Sequence, residues 1–167
     1  IEISSKGLCK VNQYRWKIWP HRRTGIVKLN LGCGLAVAKG WINIDGSLNA
    51  MIASWPRFLQ RVFFRMSGAR KYYSETEYLA LLQDNTFVHY DLSYGIPFED
   101  ESVNIIYSSH FLEHLPRKTA LNLLSESYRV LQSGGIMRIC IPDLAYAVAL
   151  YERGEKEKML DSYFFID

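Results

Sequence analysis

The sequence predicts one α/β domain built on a doubly wound, mainly parallel sheet, and three observations carry that prediction. A short apolar run at residues 26–31 breaks on Gly32-Cys33-Gly34, and a second apolar run ends on Asp45. Further brief β-rich runs at residues 86–90, 103–107 and 136–141 alternate with stretches of helical spacing. Strands separated by helical patterns are the signature of βαβ units, whose crossovers make neighbouring strands parallel.

Size and composition agree. At 167 residues the chain can bury a real core as one domain and is too short for two comfortable ones. Apolar residues make up 49% and charged residues 22%, an ordinary globular balance that argues against disorder. Apolar stretches such as residues 136–141 fall far short of the ~18 residues that a membrane span needs, so no segment is expected to cross a bilayer. The N-terminus has no initiator Met and no signal-peptide pattern, and a cytoplasmic location is expected. Cys9, Cys33 and Cys140 are an odd set without ligand-type spacing, which fits reduced thiols.

Charge is uneven: residues 1–28 carry a net of +6 and the remainder a net of −3. The chain therefore reads as a basic N-terminal arm, residues 1–25, ahead of a domain at residues 26–167 that contains a helical insertion at residues 46–85. The basic residues of the arm are scattered among Tyr14, Trp16 and Trp19 and match no recognised nucleic-acid pattern. A solvated or fold-covering arm fits them, and so does contact with an anionic partner.

Taken in order, residues 26–31 follow the breaker pair Thr24-Gly25 and are the expected central strand. Only six residues separate Gly34 from Trp41, fewer than a crossover with a full helix takes, so the first helix is expected to be one turn or an irregular loop. In the insertion, Leu48, Met51, Ile52, Trp55, Phe58, Leu59, Val62, Phe63 and Met66 fall at helical spacing, and Pro56 starts or kinks the second part. Arg57, Arg61 and Arg65 fall four apart on another face. A solvated face of a packed helix, a lid over an anionic substrate and a helix on a membrane surface all fit that stripe. Residues 97–101 read as the turn before the strand at 103–107. The helix after Pro116 is expected to present Leu121, Leu124, Tyr128 and Leu131 on one face and to stop at Ser133-Gly134-Gly135. The strand at 136–141 and a helix from about residue 144 follow.

The chemistry-bearing positions lie at the strand ends. A strand that turns on glycines brings bare backbone N–H groups against a ligand, and a carboxylate at the tip of the next strand can accept hydrogen bonds from ribose hydroxyls. In chain order the blocks LNLGCG, GWINID, PFEDES, SSHFLEHL and RVLQSGG resemble the class I S-adenosylmethionine-dependent methyltransferases, over roughly residues 26–151. The resemblance implies a Rossmann-like fold, S-adenosylmethionine as cofactor, and methyl transfer to a small-molecule acceptor, an oxygen or nitrogen of a sugar or metabolite. The family fold has seven strands, and this sequence supplies five, so the last two are expected to be missing.

By that resemblance Gly32, Cys33 and Gly34 face the methionine part of the cofactor. Asp45, with Gly46 beside it, takes the ribose hydroxyls, and Asp91 with Leu92 lies by the adenine. Ser108 edges the pocket, and Asn104 departs from the Asp that many relatives carry. If the acceptor is a hydroxyl, His110 and Asp143 are the best-placed bases. Glu113 and His114 are adjacent on a predicted helix and point ~100° apart, so they are read as structural, with His114 buried against backbone. Cys33 is read as a small turn residue and not as a nucleophile.

Three competing readings stand beside this one. A non-catalytic relative would keep the fold as a binding or scaffold module. An NAD- or nucleotide-sugar-dependent enzyme is weakened because a GxGxxG fingerprint needs Gly where Val37 stands and an acid ~20 residues on, whereas Asp45 follows Gly32 by thirteen. Methylation of nucleic-acid bases is disfavoured by the lack of an Asn/Asp-Pro-Pro-aromatic block. No metal site is suggested.

Overall fold

The computed structural model describes residues 25–163. The basic arm up to residue 24 and Cys9 lie outside the described residues. Five parallel strands form the sheet, β1 (Lys28–Leu31), β2 (Ile42–Asp45), β3 (Thr86–His89), β4 (Val103–Ser109) and β5 (Leu131–Cys140), in the order β3-β2-β1-β4-β5. The order reverses at β1, which places a crevice at the carboxyl ends of β1 and β4. Among the described residues the Rossmann-like sheet has the five strands expected, and β5 forms one edge.

No helix joins β1 to β2. Residues 32–41 form turns, as the short spacing predicts. The connection from β2 to β3 is the helical insertion: α1 (Leu48–Ile52), α2 (Arg57–Met66), a 3₁₀ turn (Gly68–Lys71) and α3 (Glu75–Asp84). Ser74 caps α3 in a reciprocal box, accepting from Glu77 N–H while the Glu77 carboxylate accepts from Ser74 N–H. The Glu77 carboxylate accepts from the Ser74 hydroxyl as well as from its N–H, and these two bonds hold it below its ordinary range, the backbone bond contributing most. Helix α4 (Arg117–Val130) joins β4 to β5, and α5 (Leu144–Glu152) and α6 (Lys156–Tyr163) follow. No helix among the described residues is long and apolar enough to cross a membrane.

Alternation along the strands sends Leu29, Leu31, Ile42, Ile44, Val88 and Ile106 to one core, where α4 adds Leu123 and Val130. Phe87, next to Val88, meets a second cluster of Ile52, Phe64, Tyr78, Leu79 and Leu82 from the insertion. Consecutive strand residues point to opposite faces, so the two clusters cover the two sides of the sheet at β3.

Three expectations are corrected. Helix α4 buries Leu123, Ser127 and Val130, while Leu121 and Tyr128, expected in the core, are 56% and 85% exposed. Strand β5 starts at Leu131, directly after α4, and carries Gly134-Gly135 inside it as an irregularity where the register with β4 shifts. A Cβ on Gly135 would lie 2.9 Å from the Gln132 carbonyl, so this kink needs glycine. His114 is exposed, because residues 112–114 are a single 3₁₀ turn ahead of Pro116 and not the buried start of a long helix.

Candidate functional site

The glycine turn at the end of β1 is built from both sides. Gly32 (φ +64°) donates its N–H to the Ile44 carbonyl at 2.9 Å, and Gly34 (φ +51°) donates to Asp45 Oδ2 at 2.8 Å. Asp45 Oδ1 accepts from Ser47 N–H at 2.7 Å, so this one carboxylate ties the ends of β1 and β2 together. Beside Gly34 the space is open, since a Cβ there would meet nothing within 4 Å. Beside Gly32 it is filled: a Cβ would overlap the Phe111 ring, which lies against the turn.

Cys33 sits between the glycines, 6% exposed. Burial, with the Asp45 charge adding to it, pushes its thiol up to about 12, so it stays protonated near neutral pH and is a poor nucleophile. The loop behind the turn is held by two buried asparagines. Asn30 donates to the Ala36 carbonyl at 2.9 Å and to Asn43 Oδ1 at 3.0 Å, and Asn43 donates to the Thr86 and Trp41 carbonyls. This pair does the work of the missing first helix. Sequence reading passed over both because they sit inside apolar runs; an Asn at matching positions of two adjacent strands was the available signal.

The end of β3 closes on the same crevice. Tyr90 N–H donates to the Asp45 carbonyl, His89 Nε2 lies 3.2 Å from the Gly46 carbonyl, and a Cβ on Gly46 would lie 3.9 Å from Asp91 Cα. These backbone and His89 contacts bring the tips of β2 and β3 together. Asp91 accepts from Ser93 N–H at 2.9 Å as the cap of a 3₁₀ turn, Leu92–Tyr94, in which Leu92 is buried. Ser108 is fully buried and donates its hydroxyl to the Leu31 carbonyl at 3.2 Å, so its side chain ties β4 to β1.

His110 ends β4 in the left-handed region (φ +51°), its N–H bonded to the Cys140 carbonyl. The ring is 61% exposed, with Nδ1 3.4 Å from Glu113 Oε1. Asp143 caps α5 by accepting from the N–H groups of Ala145 and Tyr146. Among the described residues no three His, Cys, Asp or Glu side chains converge as metal ligands would.

Below the crevice, Arg129 explains two of the sequence blocks. It pairs with Glu126 at 2.7 Å and Asp100 at 2.6 Å and donates to the Ile96 and Phe98 carbonyls, so the RVL block of α4 clamps the PFEDES loop. Asn104 accepts from Val27 N–H and donates to Gln132 Oε1, a two-way role that an Asp could not fill. A cleft of about 410 Å³, lined by Ala53, Trp55, Gln60, Asn85 and Phe87 among others, lies toward the amino end of β3, away from the strand tips that carry Asp45 and Asp91.

Sheet order and strand-end crevice define a Rossmann-like domain. Residues 64–139 match the model of a family described as Methyltransferase domain. The matched stretch includes Asp91, Leu92, Ser108 and His110 and leaves Gly32, Gly34 and Asp45 outside it. The resemblance read from the five sequence blocks and this match agree on a methyltransferase domain.

No curated protein matches the sequence. Among solved structures, a SAM-dependent methyltransferase from Aquifex aeolicus is 16% identical with a TM-score of 0.41, covering 68% of this chain and 55% of that one. The complex between the Haloferax volcanii Trm112 methyltransferase activator and a methyltransferase is 19% identical with a TM-score of 0.44, covering 78% and 52%. A Methanococcus maripaludis protein assigned as an S-adenosyl-L-methionine-dependent methyltransferase is 16% identical with a TM-score of 0.42, covering 81% and 60%. The chain thus spans little more than half the length of the structures it matches.

Proposed function

We propose that this chain binds S-adenosylmethionine in the crevice at the carboxyl ends of β1 to β4 and transfers its methyl group to a small-molecule acceptor, an oxygen or nitrogen of a sugar or metabolite. The observation that carries the reading is Asp45. Its oxygens accept from Gly34 and Ser47, and each carboxylate oxygen keeps a second lone pair for a ribose hydroxyl. The open space beside Gly34 fits the approach of a ligand to the turn, and Asp91 with the Leu92 backbone borders the place for the base.

When bound, the cofactor supplies a methyl group already activated on a positive sulfur, so the chain's task is alignment. The asparagine pair and the Gly32 and Gly34 hydrogen bonds hold the turn rigid. Glu113 orients the His110 ring from Nδ1, leaving Nε2 to take a proton from an acceptor hydroxyl. Asp143 is engaged as a helix cap, which makes His110 the stronger choice of base. Phe111 favours a second reading, a non-catalytic relative that keeps the fold as a scaffold, because its ring occupies the face of Gly32 that the cofactor would otherwise approach.

Calorimetric titration with S-adenosylmethionine and S-adenosylhomocysteine tests the proposal, with Asp45→Asn as control. Binding weakened about tenfold or more in a folded variant supports the site, since one oxygen becomes a donor facing a donor. Absence of heat from folded wild type overturns it. Transfer of a labelled methyl group to any sugar or amine acceptor decides between the two readings.

A further inference from the structure

Helix α2 is packed inside out. It buries Gln60 (2% exposed) and Phe64, while Phe58, Val62 and Met66 are 65%, 53% and 84% exposed. Trp55 and Leu59 are exposed alongside them. At ~100° per residue the helix has three sides: Arg57, Arg61 and Arg65 on one, then Phe58, Val62, Met66 and Leu59, then the packed side with Gln60 and Phe64. A basic stripe therefore runs directly beside an apolar one, and both face outward. Gln60 holds this orientation by donating to the Ile52, Ala53 and Trp55 carbonyls that lead into the helix.

Charge says what the exposed side meets. Residues 46–74 hold five Lys or Arg and no acid. The first acid after them, Glu75, lies 3.2 Å from Arg61 and 3.5 Å from Arg65, steadying both while their side chains remain 52% and 72% exposed. A second copy of the chain would bring like stripes together, and residues 1–24, with six Lys or Arg against one Glu, carry a net charge of the same sign as the stripe. Nucleic acid would satisfy the arginines and leave the apolar stripe in water. An anionic lipid surface satisfies both, with the apolar side chains entering the headgroup–acyl boundary and the arginines at phosphate level. Trp55 and Tyr72, both exposed, suit that boundary.

We propose that α2 is an interfacial helix that docks this protein on anionic membrane surfaces. The inference is independent of methyl transfer. Cosedimentation of the full chain with phosphatidylcholine vesicles, with and without phosphatidylglycerol at roughly one lipid in three, tests it. Binding is expected to be at least about tenfold stronger with the anionic lipid and to weaken as salt is raised. The variant F58D/V62D is expected to lose about tenfold or more, and R57Q to lose a smaller factor, with melting temperatures unchanged because all three side chains are exposed. Anionic-vesicle binding that survives in F58D/V62D overturns the proposal, since charge elsewhere then suffices. So does a wild type that ignores the vesicles, or a dimer in sedimentation equilibrium that F58D/V62D dissociates, which would assign the stripe to a second copy.

Discussion

The strand ends and the helical insertion bury side-chain amides to opposite effect. At the strand ends each buried amide is answered: Asn30 and Asn43 bond each other and three backbone carbonyls, and Ser108 bonds the Leu31 carbonyl. In the insertion Gln60 is as deeply buried, yet its Oε1 has no protein partner while the apolar residues of its helix face out. A parallel sheet leaves little choice, because a strand shifted by one residue would expose its whole apolar set. A helix that is apolar on two sides has two ways to pack, and side-chain anchors choose between them.

The sharpest test of the strand-end side of this contrast is Gly32→Ala. The positive φ and the Phe111 ring both oppose a Cβ, and we expect a loss of about 3 kcal/mol or more in denaturant unfolding. Phe111→Ala on the same background should recover a measurable part, as a coupling of about 1 kcal/mol or more in a double-mutant cycle. Additive losses would show that the ring is not what confines the turn.

Next in size is Asn43→Ala, expected to cost about 2 kcal/mol by removing the partner of the Asn30 amide and exposing the Thr86 carbonyl to an empty space. The same variant should loosen residues 33–40, read as faster amide exchange at Gly34 and Ala36. A loss confined to global stability would mean that the loop is held by the Gly34–Asp45 bond alone.

Gln60→Leu should cost only about 1 kcal/mol, because three donated bonds disappear together with an acceptor that has no partner. A gain in stability would show that the polar anchor is there to fix which side of α2 faces out and not to hold it down. That outcome would sharpen the contrast, since at the strand ends no such exchange is expected to be neutral.

What was legible in the sequence follows the same division. The glycine turn, Asp45 and the absence of a first helix are written in local spacing, where six residues cannot carry a crossover helix. The packed faces of α2 and α4 were not. In LNLLSESYRV the apolar residues fall on two sides, and the face chosen is the one that lets Arg129, paired with nearby Glu126, reach Asp100 and the Ile96 and Phe98 carbonyls, partners ~30 residues away in sequence. Long-range polar anchors of this kind carry no periodic signal. Asp91 and Asp143, read from the sequence for chemistry, both cap short helices in the fold, a local role that residue type and position share with a binding or catalytic one.

The smallest expected effect is a pH dependence seated in the turn itself. The Cys33 thiol is raised to about 12, against ~8.5 for an unfolded chain, so the folded state holds its proton more tightly. Its stabilising contribution is therefore complete below the unfolded value and is lost as pH rises toward the folded one. At about pH 9 the loss should be below ~1 kcal/mol. The buried Tyr78 hydroxyl, which donates to Asn49 and is also pushed up to about 12, adds a loss of the same sign only above its unfolded value of ~10. Between about pH 8.5 and 10 the decline thus belongs to the turn and above it to both regions. Cys33→Ala should flatten the first part of the curve and leave the second. A curve unchanged in that variant would place the alkaline sensitivity in the insertion alone.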